Sequence, residues 1–290
     1  MGRKEAVRDV YKRQDVYKRQ KLLALDIDGT LIADMGMNVA PRDMEAIERA
    51  RGAGVFVTIA TGRILETAKR WIHALGIDIP VIICNGADIR DEEKSWFRDS
   101  IPKEATRDIM SAYRGTGQKR YIFSDNKIYC TRDDYYQVLF DKWQQGEEAV
   151  FPVVIKDTEE EMYREMYADA EKVLVWSPVI ELEPELREIA RTFAGKYNVV
   201  RGEERNVEFN KLGVSKGSGL KKLAELLGVP MECVMAIGDG GNDAEMLRAA
   251  GVGVAMENAM EEARAAADYI TADVRKCGVA QAIDRFVFGK

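Results

Sequence analysis

Histidine is almost absent: the 290-residue chain contains one, His73. That excludes sites built on several imidazole ligands and catalysis by paired histidines. Cysteine is nearly as sparse. Cys84, Cys130, Cys233 and Cys277 stand far apart with no CxxC pair, so neither a disulfide framework nor a cysteine-held zinc is expected. No apolar run approaches the roughly 18–20 residues that cross a bilayer. The charged N-terminus also lacks a signal-peptide core. A cytoplasmic protein without a membrane partner is the expectation. A basic excess is missing too: 43 Lys and Arg stand against 49 Asp and Glu, a net charge of −6. No general nucleic-acid footprint follows from that balance. Neither GxGxxG nor GxxxxGKS/T occurs, which argues against dinucleotide-binding and P-loop proteins.

What remains is the composition of an ordinary globular protein, 46% hydrophobic and 32% charged, long enough for one large domain or two modest ones. Residues 9–14 (DVYKRQ) repeat unchanged as residues 15–20. The hexapeptide is too short for a solenoid repeat and has no face to pack. It resembles a translated sequencing-library adapter, and residues 1–20 are expected to be a non-native or disordered tail. His73 falls in a helical stretch, residues 64–75, and is read as decorating that helix.

From residue 21 the pattern is regular. Apolar, β-rich runs at residues 22–25, 55–60 and 81–84 alternate with helical patterns at residues 41–51 and from about 64. The same grammar returns with a helix over 215–227, a strand over 234–237, a helix over 244–250 and short strands over 252–255 and 269–271. Strand alternating with helix implies a doubly wound, Rossmann-like parallel sheet. Between residues 88 and 210 the pattern changes to aromatic, turn-punctuated strands at 120–123, 127–129, 173–176 and 197–200, with charged helices. The expected architecture is an α/β core, residues 21–87 and 211–290, interrupted by an inserted α+β cap domain over 88–210.

Four segments stand out at strand ends. Asp26-Ile27-Asp28-Gly29-Thr30 places two carboxylates after an apolar strand, where a turn needs nothing more but an open α/β sheet puts its ligands. Thr61-Gly62-Arg63 holds a threonine that serves either as an N-cap or as a donor to a phosphoryl oxygen. Ser215 reads as an N-cap, which puts Lys216 in the first helical turn. A cation there opposes the helix dipole by roughly 0.3–1 kcal/mol, and such a misfit invites a functional reason. Gly238-Asp239-Gly240-Gly241-Asn242-Asp243 is no EF-hand loop, because Ala244 and Ala250 occupy the glycine and glutamate positions.

These strand ends share one sheet edge, so Asp26, Asp28, Asp239 and Asp243 can converge. Ionised carboxylates at that range repel unless protonated or matched by cations. Lys216 supplies one charge, and oxygen donors without histidine favour Mg²⁺ over zinc for the rest. Such a site suits phosphoryl transfer.

The ordered set DIDGT, TGR, SKG and GDGGND resembles the haloacid-dehalogenase-like hydrolase superfamily. The NGA of Asn85-Gly86-Ala87, the long insertion and the GVSKG wording resemble its Cof-like phosphatases. The resemblance spans residues 21–290 and implies a Mg²⁺-dependent phosphatase acting on a small phosphorylated metabolite. It implies Asp26 as nucleophile, Asp28 as general acid and base, and Thr61 and Lys216 as holders of the phosphoryl group. The metal would be held by Asp26, the carbonyl of Asp28 and Asp239, with Asn242 and Asp243 supporting it. Gly62, Arg63, Asn85 and Asn242 are further candidate substrate contacts, with Arg63 alternatively a brace for the loop. A phosphomutase and a ligand-binding regulator with negligible turnover are the alternatives. Substrate identity, the cap residues that select it and the oligomeric state are not legible; a monomer is compatible with the sequence.

Overall fold

The computed structural model describes residues 20–34, 38–137, 152–202 and 205–290. Apart from Gln20, which is buried, the tail expected over residues 1–20 lies outside the described residues.

The chain opens with β1 (Leu22–Leu25), α1 (Pro41–Gly52), β2 (Phe56–Ile59), α2 (Leu65–Ala74) and β3 (Val81–Ile83), followed by β4 (Asp88–Arg90) and β5 (Ser95–Arg98). Then come α3 (Thr106–Ala112), β6 (Lys119–Ser124), β7 (Lys127–Thr131), β8 (Val153–Lys156), α4 (Glu159–Glu165), β9 (Lys172–Trp176), α5 (Glu183–Arg191), β10 (Tyr197–Val200) and β11 (Asn206–Lys211). The last part holds α6 (Lys216–Leu226), β12 (Val234–Gly238), α7 (Ala244–Ala249), β13 (Val252–Ala255), α8 (Glu261–Ala266), β14 (Tyr269–Ile270) and α9 (Gly278–Phe286).

The core sheet has the order β14-β13-β12-β1-β2 with every neighbour parallel. β3 joins it through a parallel bridge between Ala60 and Ile82. Strand β1 shows why these runs are uninterrupted apolar sequence. Leu23 and Leu25 pack on one face with Ile47, Trp71 and Ile283, while Leu22 and Ala24 pack on the other with Leu220, Leu247 and Ala263. A parallel strand covered on both faces cannot alternate with polar residues. Helix α1 starts with Pro41 in its first turn and carries Asp43 at its beginning and Arg49 and Arg51 at its end, an order that complements the helix dipole. This is the doubly wound α/β core the sequence predicts.

The inserted cap is an α+β unit around a six-stranded sheet, β10-β11-β9-β6-β7-β8. One face is covered by α3, α4 and α5 through Ile109, Met162 and Leu186, against Val173 and Phe209. Alternate residues on the opposite face, Phe123, Ile128 and Leu174, join the apolar cluster of the core. A division between residues 87 and 88 runs through a hydrogen-bonded sheet, because β3 pairs with β4 (Ile83 with Asp88) and β4 with β5. We propose that the cap begins after β5, close to Ile101, which pairs with Ala170 of the cap. Among the described residues no helix is long and apolar enough to cross a membrane.

Asp43 ties α1 to α9. Its Oδ1 accepts the Ala280 amide at 2.7 Å, its Oδ2 has no partner, and burial pushes its carboxyl up to about 6. The folded chain therefore keeps a proton between pH 4 and 6 that the unfolded chain releases, so this group's contribution to stability falls as pH rises through that window, by roughly 2–3 kcal/mol. Asp43→Asn keeps the acceptor and removes the titration. In urea unfolding, the stability at pH 4.5 minus that at pH 7 should be lower in the variant than in the parent; an equal value would count against this assignment.

Candidate active site

Register brings the motif residues together. Leu25 pairs with Ile237 on one side and with Ile59 on the other, so Asp26, Asp239 and Thr61 all emerge at the carboxyl edge of three adjacent strands. The chain turns sharply after Asp26, and Gly29 makes that turn possible. Its φ is +82°, and a Cβ built there would lie 2.1 Å from Asp239 Oδ2. Only glycine tolerates both the left-handed backbone and the close approach.

Lys216 stands at the centre. Ser215 caps α6 through a reciprocal box with Ser218, and this fixes Lys216 in the first turn. Its ammonium is buried and donates to Asp26 Oδ1 at 2.6 Å and to Asp243 Oδ1 at 2.7 Å. The misfit with the helix dipole is thus compensated by two carboxylates. Asp243 Oδ2 accepts the amides of Asp239 (3.0 Å) and Gly240 (2.9 Å), which closes the glycine-rich loop onto itself. Thr30 Oγ1 donates to Asp239 Oδ1 at 2.7 Å.

Asp28 lies at the mouth, where Arg63 grips it with a two-pronged fork: Nε to Oδ2 and Nη2 to Oδ1, both 2.8 Å. Arg63 is itself held by the Thr67 carbonyl and lies 4.5 Å over the Trp71 ring. Thr61 is not the cap of α2, whose N-cap is Ile64 without a side-chain bond. Instead Thr61 is buried and its Oγ1 accepts the Arg63 amide at 3.2 Å.

Burial is the main force on the acids. It pushes Asp26 well above the usual carboxylate range; Lys216 opposes this, while Asp243, Asp239 and Asp28 add to it. Asp239 is pushed up to about 7 by burial and by Asp243, against Thr30 and Lys216. For Lys216 burial works against the charge, but Asp243 and Asp26 outweigh it and its pKa rises. The protein's own cation therefore does not neutralise the cluster. Asp26, Asp239 and Asp243 each place a carboxylate oxygen within 4.8 Å of the others. Asp243 commits both oxygens to the bonds above, whereas Asp26 and Asp239 commit one each. This all-oxygen donor set fits a hard divalent ion such as Mg²⁺.

Asp26, Asp28, Thr61, Gly62, Arg63, Lys216 and Asn242 line one cleft, and the cap closes it. Asn85 lies behind the wall rather than in it. Its backbone is left-handed, with φ 59°. Its Nδ2 donates to Glu208 Oε2 at 2.7 Å and Asn210 Oδ1 at 3.1 Å, and its Oδ1 accepts from Asn242 Nδ2 at 3.1 Å. His73 is far from this chemistry, exposed and paired with Glu92. Sequence reasoning missed the cap's contribution: Lys172, Asn206 and Glu208 also line the cleft. The signal was there in β11, where Asn206, Glu208 and Asn210 alternate with Val207 and Phe209. A strand with a buried polar face breaks the compositional rule by which strands are found.

Residues 23–283 match the family described as haloacid dehalogenase-like hydrolase, and the chain belongs to that family, among its Cof-type members. It is a phosphoric monoester hydrolase. It is 32% identical over 268 residues to the 5-amino-6-(5-phospho-D-ribitylamino)uracil phosphatase YcsE of Bacillus subtilis, covering 92% of this chain and 96% of that protein. The structure of a haloacid dehalogenase-like hydrolase from B. subtilis superposes with a TM-score of 0.79 at 29% identity, over 91% of this chain and 99% of the other. The subclass IIB sugar phosphatase BT4131 gives 0.78 at 27% identity, over 92% and 99%.

Because Asp239 packs where a Gly29 side chain would stand, Gly29→Ala should displace the Asp239 carboxylate. We expect kcat/KM to fall by at least about 100-fold, as misplacement by an ångström typically costs, with the far-UV circular dichroism retained. Parental activity in a folded Gly29→Ala protein would show that this packing does not position Asp239.

Proposed function

We propose that the enzyme is a Mg²⁺-dependent phosphatase of a small phosphorylated metabolite and works through an aspartyl-phosphate on Asp26. The observation that carries this reading is the convergence of Asp26, Lys216, Asp239 and Asp243 at one sheet edge, with Asp28 two residues from Asp26 at the mouth of the same cleft. Relatives named as phosphatases of a ribitylamino-uracil phosphate and of sugars support a small metabolite as substrate.

In this mechanism an oxygen of Asp26 attacks phosphorus, the bond from phosphorus to the leaving oxygen breaks, and Asp28 donates its proton to that oxygen. Asp28 then takes a proton from water as the water oxygen attacks phosphorus. The bond from phosphorus to Asp26 breaks, and inorganic phosphate and the free Asp26 carboxylate remain. The Arg63 fork holds the Asp28 carboxylate in one orientation at the mouth of the cleft. Thr61 and the neighbouring amide of Gly62, together with Lys216, hold the phosphoryl oxygens. Mg²⁺, when bound, would supply positive charge to offset that of the phosphoryl group. Asp26, Asp239 and the Asp28 carbonyl would hold it, with Asn242 and Asp243 supporting. Asp243 does so by anchoring Lys216 and the 239–240 amides, and Asn242 through Asn85.

EDTA should abolish phosphate release from para-nitrophenyl phosphate and added Mg²⁺ should restore it. Asp26→Ala and Asp239→Ala should each lower kcat by at least about 1000-fold while keeping the parental circular dichroism. Metal-independent turnover, or near-normal rates in either variant, would overturn the assignment. Release of inorganic phosphate, rather than an isomeric phosphate ester, separates hydrolysis from mutase chemistry.

A further inference from the structure

Six charged side chains line the cleft, three of each sign, and each is bonded to one of the other sign, Lys216 being shared between Asp26 and Asp243. Asp26 is bonded to Lys216 and Asp28 to Arg63, and on the cap side Lys172 is bonded to Glu208. The first two pairs belong to the phosphoryl chemistry. The third has no role there. Lys172 comes from β9 and Glu208 from β11, and both side chains are almost completely buried, 3% and 6% exposed. They face the phosphate-holding loop directly: a Cβ on Gly62 would lie 3.3 Å from Lys172 Nζ and 3.5 Å from Glu208 Oε1. Asn85 braces Glu208 from behind at 2.7 Å, and the Lys172 ammonium lies 4.6 Å from the centre of the Phe123 ring. Phe123, Ile128 and Leu174 supply an apolar wall beside the pair, and Asn206 and Asn242 add carboxamides to the lining.

Resting on the phosphatase reading above, we infer that the Lys172–Glu208 pair is a charge filter on the leaving group, and that the substrates are phosphate monoesters whose leaving group is uncharged and hydroxylated. A neutral pair offers one donor group and one acceptor group to hydroxyls without demanding a counter-charge. A leaving group that carries its own carboxylate or ammonium finds each opposite charge among the described lining residues already bonded to a partner. It must be desolvated against a neutral, partly apolar wall, which disfavours it. Rejection of the wrong charge is specificity by an unpaired buried group.

The test uses the full chain with Mg²⁺ and three six-carbon esters of similar size: glucose 6-phosphate (neutral), 6-phosphogluconate (a carboxylate) and glucosamine 6-phosphate (an ammonium). Para-nitrophenyl phosphate is the reference. Inactivity toward the reference would strike the phosphatase reading itself, whereas activity toward it isolates the filter. We expect kcat/KM for glucose 6-phosphate to exceed that for each charged ester by at least about tenfold. Equal rates, a preference for a charged ester, or turnover of the reference with none of the three would overturn the inference.

Unmatching the pair should shift the preference in opposite directions. Glu208→Gln leaves the ammonium unpaired, and the 6-phosphogluconate to glucose 6-phosphate ratio of kcat/KM should rise at least about fivefold. Lys172→Met leaves the carboxylate unpaired, and the glucosamine 6-phosphate ratio should rise similarly. A pair that merely fastens the cap would lower all three esters alike and leave both ratios unchanged, which would refute the filter. The wild-type comparison decides the question even where a variant fails to fold.

Discussion

The Lys216 ammonium sits between Asp26 and Asp243 in a place water hardly reaches, and most of the site depends on that contact. A lysine buried alone would give up its proton, and carboxylates buried alone would take one up. Together the opposite charges offset part of that cost, although burial still raises Asp26 and Asp239 above the usual carboxylate range. The clamp joins three distant stretches of chain: the end of β1, the first turn of α6 and the loop after β12. Removing one partner would leave an uncompensated charge in the interior, so geometry and electrostatics sustain each other here.

The residual negative charge has a chemical meaning. Asp243 is saturated by Lys216 and two amides, and its work is to shape the loop. Asp26 and Asp239 keep oxygen to offer, which suits a divalent ion and a phosphoryl group arriving together. At the mouth the Arg63 fork sets Asp28 apart from this cluster, so two carboxylates only two residues apart meet different surroundings. Backbone conformation makes this possible: without the left-handed turn at Gly29, Asp239 could not approach.

The cap adds a second chemistry on the same cleft. Its sheet alternates by residue, with Val173 and Phe209 turned to the covering helices and Lys172, Leu174 and Glu208 turned to the active site. The bonds from Asn85 to Glu208, Asn210 and Asn242 link the core loop after β3, cap strand β11 and the loop after β12. The cap side of the cleft is thereby hydrogen-bonded to the core loops that form its other side.

Much of this was legible in the chain. Residues 22–25 and 252–255 read as strands because they are apolar on both faces, and they are strands with those bounds. Ser215 reads as an N-cap because its hydroxyl suits one, and Lys216 then stands out against the dipole. Strands β4, β5, β8 and β11 escaped; in β4 and β11, Asp88, Glu208 and Asn210 are polar residues in buried strand positions, and their partners lie elsewhere in the chain. The sequence by itself determined the alternation of elements and the polar residues at each strand end, because period and turn chemistry are local. Which acid is saturated and which commits only one oxygen, that Arg63 grips Asp28, that Asn85 serves as a brace, and that Lys172 meets Glu208 were decided only by the tertiary structure. Those are contacts between residues 35 to 190 positions apart, and an electrostatic interaction depends on distance in space and on burial, neither of which a linear pattern carries.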